Sequence, residues 1–233
     1  MDVETVIAGE VVRLLAEKAI YWPAERTLFV ADLHWGKAAA FRSLAVPIPG
    51  GTTASDLARL SRAIDRMSAE RLVILGDLIH AKAGRQPEML AAISRWRAER
   101  PELEIVLVRG NHDEKAGDPP VAWSIRVVDE PEECGPFALR HFPEPVEGRH
   151  VLAGHLHPAV VLSGRGGQGL RLPCFHVGRD VTVLPAFGSF TGTATVKPRA
   201  EDSVFVIAED EVIPFVLSNV AGEVLPGGRT ASG

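Results

Sequence analysis

Short apolar runs along this chain end abruptly in polar residues, and amphipathic stretches separate them. Residues 26–34 (RTLFVADLH), 71–80 (RLVILGDLIH) and 102–113 (ELEIVLVRGNHD) each read as a strand running into a loop. Between the first two, residues 52–70 repeat Leu57, Leu60, Ile64 and Met67 at helical spacing, with Thr53 or Ser55 to cap the start. Between the second and third, residues 87–100 read as a helix with Pro87 near its first turn. This βαβαβ order predicts an α/β fold in which helices cross over a sheet. From about Ala122 the runs become shorter, broken by Pro and Gly, and no long helix separates them. That half reads as an antiparallel or mixed sheet, with residues 163–173 as a Gly-rich hairpin tip. With no internal repeat and no clear linker, residues 1–222 are expected to form one domain and residues 223–233 a loose tail.

Composition narrows the class. Of 233 residues, 46% are hydrophobic and 24% charged, an ordinary globular balance that needs no disulfide staple. Cys134 and Cys174 form no CxxC or zinc-finger spacing and are expected to be reduced thiols in a cytoplasm. The first residues carry acids at Asp2 and Glu4 and no basic segment, so no signal peptide is expected. No apolar run reaches the ~18 residues of a membrane span, so no membrane partner is expected. A net charge of −5 argues against long-range binding along a duplex, but leaves room for a local basic cleft.

The chemistry collects where the apolar runs stop. Asp32 and His34 end the first, and their i, i+2 spacing would turn both side chains to one face of a strand. Asp77 and His80 follow the second, and Asn111, His112 and Asp113 the third. His141, His155 and His157 come later, in FALRHF and AGHLH. Open α/β sheets place their sites beyond the carboxyl ends of strands, so these groups can meet there. Glycines before Asp77, Asn111 and His155 suit sharp loops close to a ligand. Each residue alone has a plainer reading, because an Asp at a strand end is more often a turn or cap than a ligand. Together they form a histidine and carboxylate set without thiolate, which suits borderline divalent metals. Seven groups (Asp32, His34, Asp77, Asn111, His141, His155 and His157) exceed one tetrahedral ion. They fit two ions sharing a carboxylate, which lower the pKa of a bound water toward roughly 7. The hydroxide held between them is the expected nucleophile of a dinuclear hydrolase.

The blocks DLH, GDLIH, GNHD, the His141 of LRHFP, and GHLH resemble the five-block signature of the calcineurin-like metallophosphoesterases, in order and spacing from Asp32 to His157. The resemblance implies a four-layer α/β/β/α sandwich and two divalent metal ions. Asp32, His34, Asp77 and His157 would hold one ion; Asp77, Asn111, His141 and His155 would hold the other, with Asp77 bridging. His112 would bind no metal, but contact the phosphate and assist the leaving oxygen. Mn is favoured by the resemblance, while Fe, Zn or Co suit the same mixed ligation. One position departs from the superfamily. Three residues after the bridging Asp, where many members carry an Asp or Asn that orients the catalytic histidine, stands His80. Its ring nitrogen or another carboxylate would take that role, and Asp113 is expected to bond backbone in its loop.

A narrower resemblance covers DLHWGKAAAFR, VPIPGGTTASDLARL, GHLHPAVVL, RLPCF and LPAFGSFTG. These stretches are similar to the bacterial ligase-associated DNA damage response endonucleases, the PdeM group. That resemblance implies phosphodiester cleavage in single-stranded or damaged DNA, beside a DNA ligase, a helicase and an exonuclease-like protein. The stretch GKAAAFR follows the first ligand block. If it is helical, Lys37 and Phe41 are i, i+4 neighbours and Arg42 lies about 140° around from Lys37. Lys37 and Arg42 suit phosphate oxygens and Phe41 suits stacking on a base, against a plainer reading of Phe41 as core and Lys37 as solvated. With His80 these make the candidate substrate contacts, and Arg85, Arg165 and Arg171 can extend a basic rim. Two other functions remain open: a phosphatase or phosphodiesterase for nucleotides or other small phosphate esters, and a binding scaffold that kept the fold without activity. The scaffold predicts lost ligands, and none is lost.

Overall fold

The computed structural model describes residues 1–43, 51–163 and 169–215. The VPIPG segment at 46–50, Arg165 and the tail at 223–233 therefore lie outside the described residues. A first sheet runs in sequence order through seven strands: β1 (Val3–Ile7), β2 (Glu10–Leu15), β3 (Ala19–Trp22), β4 (Thr27–Val30), β5 (Arg71–Leu75), β6 (Glu104–Val108) and β7 (Ile125–Val128). β1 to β4 pair antiparallel and β4 to β7 parallel. The parallel half contains the βαβαβ pattern and one strand more, because β7, expected from the sequence in the second sheet, pairs parallel to β6 instead. Helices α1 (Lys37–Ser43), α2 (Thr52–Met67), α3 (Pro87–Ala98) and α4 (Asn111–Ala116) lie in its crossovers.

β4, β5 and β6 each open on one polar residue (Thr27, Arg71 and Glu104) and are apolar at every position after it, because both sheet faces are covered. Leu28 and Val30, Leu72 and Ile74, and Ile105 and Leu107 pack against Leu57, Leu60 and Ile64 of α2 and Met89, Ile93 and Trp96 of α3. The alternate residues Phe29, Val73, Leu75, Val106 and Val108 face the second sheet, where Phe137, Leu139, Leu152, Phe175 and Leu184 meet them. Each such fully buried side chain contributes ~1.5–3 kcal/mol. With both faces buried, polar side chains are confined to the strand ends, and the parallel pairing brings the carboxyl ends of β4, β5 and β6 to one edge.

The second sheet contains β8 (Glu132–Cys134), β9 (Phe137–Leu139), β10 (His150–Ala153), β11 (Pro158–Ser163), β12 (Gly169–Val177), β13 (Val181–Val183), β14 (Ala194–Thr195), β15 (Ser203–Ala208) and β16 (Glu211–Phe215). Its order is β14-β11-β12-β13-β10-β9-β8, with β15 and β16 added beside β12. It is mixed, as the sequence predicts: β9 and β13 flank β10 in parallel and β11 pairs antiparallel with β12. The expected hairpin tip at 163–173 is too long, since Ser163 and Gly169 to Pro173 are already paired strand, and residues 164–168 lie outside the described residues. All four α-helices among the described residues belong to the first half of the chain. The far face of the second sheet carries a cluster of Val160, Cys174, Val204 and Val206, and no helix among the described residues covers it. Cys134 and Cys174 are buried and unpaired. No described helix is long and apolar enough to cross a membrane.

Candidate metal centre

The ends of β4, β5 and β6 open at one edge, and the loops after β9 and β10 reach it from the other sheet. The first ligand block does not get there by strand alternation. β4 stops at Val30, and Asp32 and His34 lie beyond it with φ of 54° and 46°. Asp77, His155 and His157 are left-handed as well, at 57°, 69° and 49°. Non-glycine residues seldom adopt this conformation, and strain of that kind collects at functional sites. Here two loops brace one another: Asp32 N–H donates to Gly76 O (3.2 Å), His34 N–H to Asp77 O (2.8 Å), Trp35 N–H to Leu78 O (2.9 Å) and His80 N–H to Trp35 O (3.1 Å). Gly76, at φ +79°, leaves the room that the His141 ring fills, and a Cβ there would overlap that ring.

Three further carboxylates hold the loops without facing the foci. Asp113 is 2% exposed and accepts four backbone N–H groups: Asp77 (2.8 Å), Gly110 (3.0 Å), Leu78 (3.0 Å) and Ile79 (3.3 Å). The expected backbone role of Asp113 is thus present, and it ties the Asp77 loop to the start of α4. Burial pushes this carboxyl up to about 6, against the pull of the Gly110, Ile79 and Asp77 amides. Glu130 accepts the N–H groups of His141 (2.6 Å) and Phe142 (3.1 Å) and pairs with Arg140 (3.0 Å). Asp56, on α2, takes the Ser189 N–H and hydroxyl and pairs with Arg59. The neighbouring Phe187 and Gly188 N–H groups bond Ala31 O and Asp32 O, so Asp56 steadies the first ligand block from behind.

The ligand-type atoms converge on two points. Around the first, His34 Nε2 lies 3.4 Å from His157 Nε2 and 3.6 Å from Asp77 Oδ2, and His157 Nε2 lies 3.5 Å from Asp32 Oδ1. Around the second, His141 Nε2 lies 3.0 Å from Asn111 Oδ1, 3.1 Å from His155 Nδ1 and 3.6 Å from Asp77 Oδ1. Asp77 turns one carboxylate oxygen to each point. Asp32 Oδ1 is buried with no hydrogen-bond partner. An orphaned carboxylate oxygen beside converging imidazole nitrogens is costly unless a cation sits among them. The residues present therefore fit divalent metal.

Backbone carbonyls set the tautomer of two of the histidines. His141 Nδ1 meets Leu75 O at 3.2 Å and His157 Nδ1 meets Gly192 O at 2.9 Å. A carbonyl can only accept, so the proton sits on Nδ1 and Nε2 presents its lone pair to the focus. Burial, then Lys37 and the neighbouring histidines, holds His34 down at about 2, so its ring is neutral at any working pH. Burial also lowers His155. Asp77 is raised, chiefly by desolvation, the mark of a carboxylate buried without its counter-charge.

His112 borders the first focus: its ring meets His34 edge-on at 4.9 Å, and with His34 and His80 it forms a group whose nitrogens could hold an ion. Its Nδ1–H donates to the backbone carbonyl of His80 at 2.7 Å, leaving Nε2 4.0 Å from Asp77 Oδ2 on a side chain that is 32% exposed. The orienting group is therefore neither the His80 ring nor another carboxylate, but the His80 main chain. The His80 ring instead stacks on His112 at 4.7 Å and reaches His34 Nδ1 at 3.5 Å. His112→Ala is expected to retain bound metal by elemental analysis and to lose about 10²-fold or more in turnover. Loss of metal would make His112 a ligand.

The other sequence candidates divide. Lys37 opens α1 half-buried, close enough for Asp77 and Asp32 to raise its pKa against a larger lowering by burial. Phe41 is half-buried between His80 and Phe190 rather than in the core. Arg42 is exposed and lines a separate cleft of about 540 Å³ with Thr52 and Thr53 of α2 and Glu88 of α3, so it is not brought to the foci. Arg85 is committed to the carbonyls of Ala116, Gly117 and Asp118, and Arg171 to Thr195. Glu130, Asp56 and Phe190 escaped the sequence reading, because no local pattern ties them to the ligand loops.

Residues 25–142 match the family model described as calcineurin-like phosphoesterase. The chain belongs to that family. This calcineurin-like phosphoesterase is accordingly a metal-dependent hydrolase, and the matched stretch spans every site block except His155 and His157. Among solved structures, it is similar to the Pseudomonas putida nuclease MPE, with 45% identity and a TM-score of 0.81 over 92% of this chain and 100% of that one. The E. coli phosphoesterase Yfce covers 84% of this chain and 99% of its own at 14% identity, but with a TM-score of 0.38 it carries no argument. No match was found among curated proteins.

Proposed function

We propose that this calcineurin-like phosphoesterase is a dinuclear phosphodiesterase that cleaves DNA, single-stranded or damaged. The carrying observation is the division of the Asp77 carboxylate between two sets of donors. Asp32, His34, Asp77 and His157 would hold one ion and Asp77, Asn111, His141 and His155 the other, with Mn favoured over Fe, Zn or Co. Two bound ions would supply charge to the phosphate oxygens and an acidified water. The chain's own groups do the rest. His112, turned by the His80 carbonyl, offers Nε2 to the phosphate and, when protonated, donates to the leaving oxygen. Lys37 adds a cation for a non-bridging or neighbouring phosphate oxygen. The nuclease identity of the 45% identical structure supports an oligonucleotide over a small ester. Action in a repair system with a DNA ligase, a helicase and an exonuclease-like protein is what the narrower sequence resemblance implies, and the two free cysteines are the ground for a cytoplasmic setting.

Mn-loaded protein is expected to cleave single-stranded DNA in preference to duplex. Removing the Lys37 charge (Lys37→Gln) is expected to reduce the slope of log affinity against log salt by about 0.7, one phosphate contact on a single strand. Hydrolysis confined to nucleotides and aryl esters, with no oligonucleotide cleaved, would return the protein to the small-phosphate reading.

A further inference from the structure

Beside the metal foci runs a row of rings that phosphate chemistry alone does not require. The stacked His112 and His80 are continued by Phe41, whose centroid is 6.2 Å from the His80 ring at 34°. Phe190 then meets Phe41 edge-on at 5.7 Å and 84°. The phenylalanines of the core behave differently: Phe29, Phe137, Phe175 and Phe187 are each 0% exposed. Phe41 and Phe190 are both left partly open. Phe142 is already accounted for, because it packs on the rings of His141 and His155.

The row is held from both ends. Phe41 projects from α1 one turn after Lys37. Phe190 follows Ser189, whose amide Asp56 grips, and Gly188, whose amide bonds the first ligand block. An apolar surface thus begins at the imidazole that would handle the phosphate and is fixed in distance from it. A nucleobase attached through its sugar to that phosphate is an occupant with a flat face and the right tether.

We propose that Phe41 and Phe190 form a stacking platform for one unpaired nucleobase next to the scissile phosphate. This rests on the nuclease reading above and deepens it. The platform takes any base, since every base has a π-face, and it disfavours duplex, whose bases are stacked on one another. Single-strand preference then comes from these two rings rather than from the metal ligands.

The test crosses substrate with enzyme. One single-stranded oligonucleotide carries bases throughout. A second, equal in length and charge, carries a stable abasic analogue at each position flanking the cleavable phosphates. Wild-type kcat/KM is expected to favour the first about tenfold or more. In the double variant Phe41→Leu with Phe190→Leu, which keeps apolar bulk but removes the flat faces, that ratio is expected to fall toward one. The ratio cancels a general loss of active protein, so a merely structural role for the rings would leave it unchanged. Equal cleavage of both oligonucleotides by wild type, or an unchanged ratio in the variant, overturns the platform alone. Cleavage of neither, with hydrolysis of an aryl phosphodiester retained, overturns the nuclease reading and the platform with it.

Discussion

Asp77→Ala is expected to abolish hydrolysis of a generic aryl phosphodiester. Asp77 Oδ2 faces His34 at 3.6 Å and Oδ1 faces His141 at 3.6 Å, so a single substitution takes a donor from each set. A metal ion contributes several kcal/mol of transition-state stabilisation. At 1.36 kcal/mol per decade, disturbing both sites lowers kcat/KM by about 10³-fold or more. Other ligand substitutions remove a donor from one set only, so none of them should exceed this loss. The Asp77 side chain accepts one amide, from His112 at 2.9 Å, so the fold is expected to survive, with thermal unfolding as the control. Steady-state rates within tenfold of wild type would contradict the sharing of Asp77.

The largest effect on stability is expected at Asp113, which touches no candidate substrate group. Asp113→Ala leaves the N–H groups of Asp77, Leu78, Ile79 and Gly110 without their acceptor in a buried loop. Unsatisfied buried donors cost ~1–3 kcal/mol each, so the loss is on the order of 4 kcal/mol or more. That is a large part of the ~5–15 kcal/mol that holds a domain folded. Asp113→Asn keeps one acceptor oxygen and is expected to fall between the two. Urea unfolding measures both variants, and a change below about 1 kcal/mol for the alanine variant would show that water replaces the carboxylate.

The strands β4, β5 and β6 were legible because each is apolar after a single polar residue and the helices α2 and α3 between them repeat at 3.6 residues. β7 was not, since its Arg126 and the short runs that follow it resemble the strands of the second sheet. The antiparallel strands Val3–Ile7, Glu10–Leu15 and Ala19–Trp22 were not drawn from the sequence, although the signal is there. Ala8 and Gly9, at φ 53° and 84°, join Ile7 to Glu10 in a two-residue turn of the type that suits a hairpin. The candidate ligands were legible because polar residues at the ends of buried strands stand out. How they converge was not, since the left-handed backbone at Asp32 and His34 depends on the Gly76 to His80 loop lying alongside. The orienting group of His112 is a backbone carbonyl, which no side chain announces. Asp56 meets Ser189 across 133 residues, a distance that only the folded chain closes. Arg42 was legible as a cation but not in direction, since helical phase alone did not show that its side of α1 faces α2 and α3 rather than the site.

The central claim is that the chain holds two metal ions and that Asp77 belongs to both. Elemental analysis of protein loaded with Mn and then desalted measures this directly. The proposed dinuclear function predicts about two ions per wild-type chain, one in His34→Ala, one in Asn111→Ala, and fewer than one in Asp77→Ala. A wild-type chain that binds a single ion, or an Asp77→Ala chain that keeps both, would contradict it.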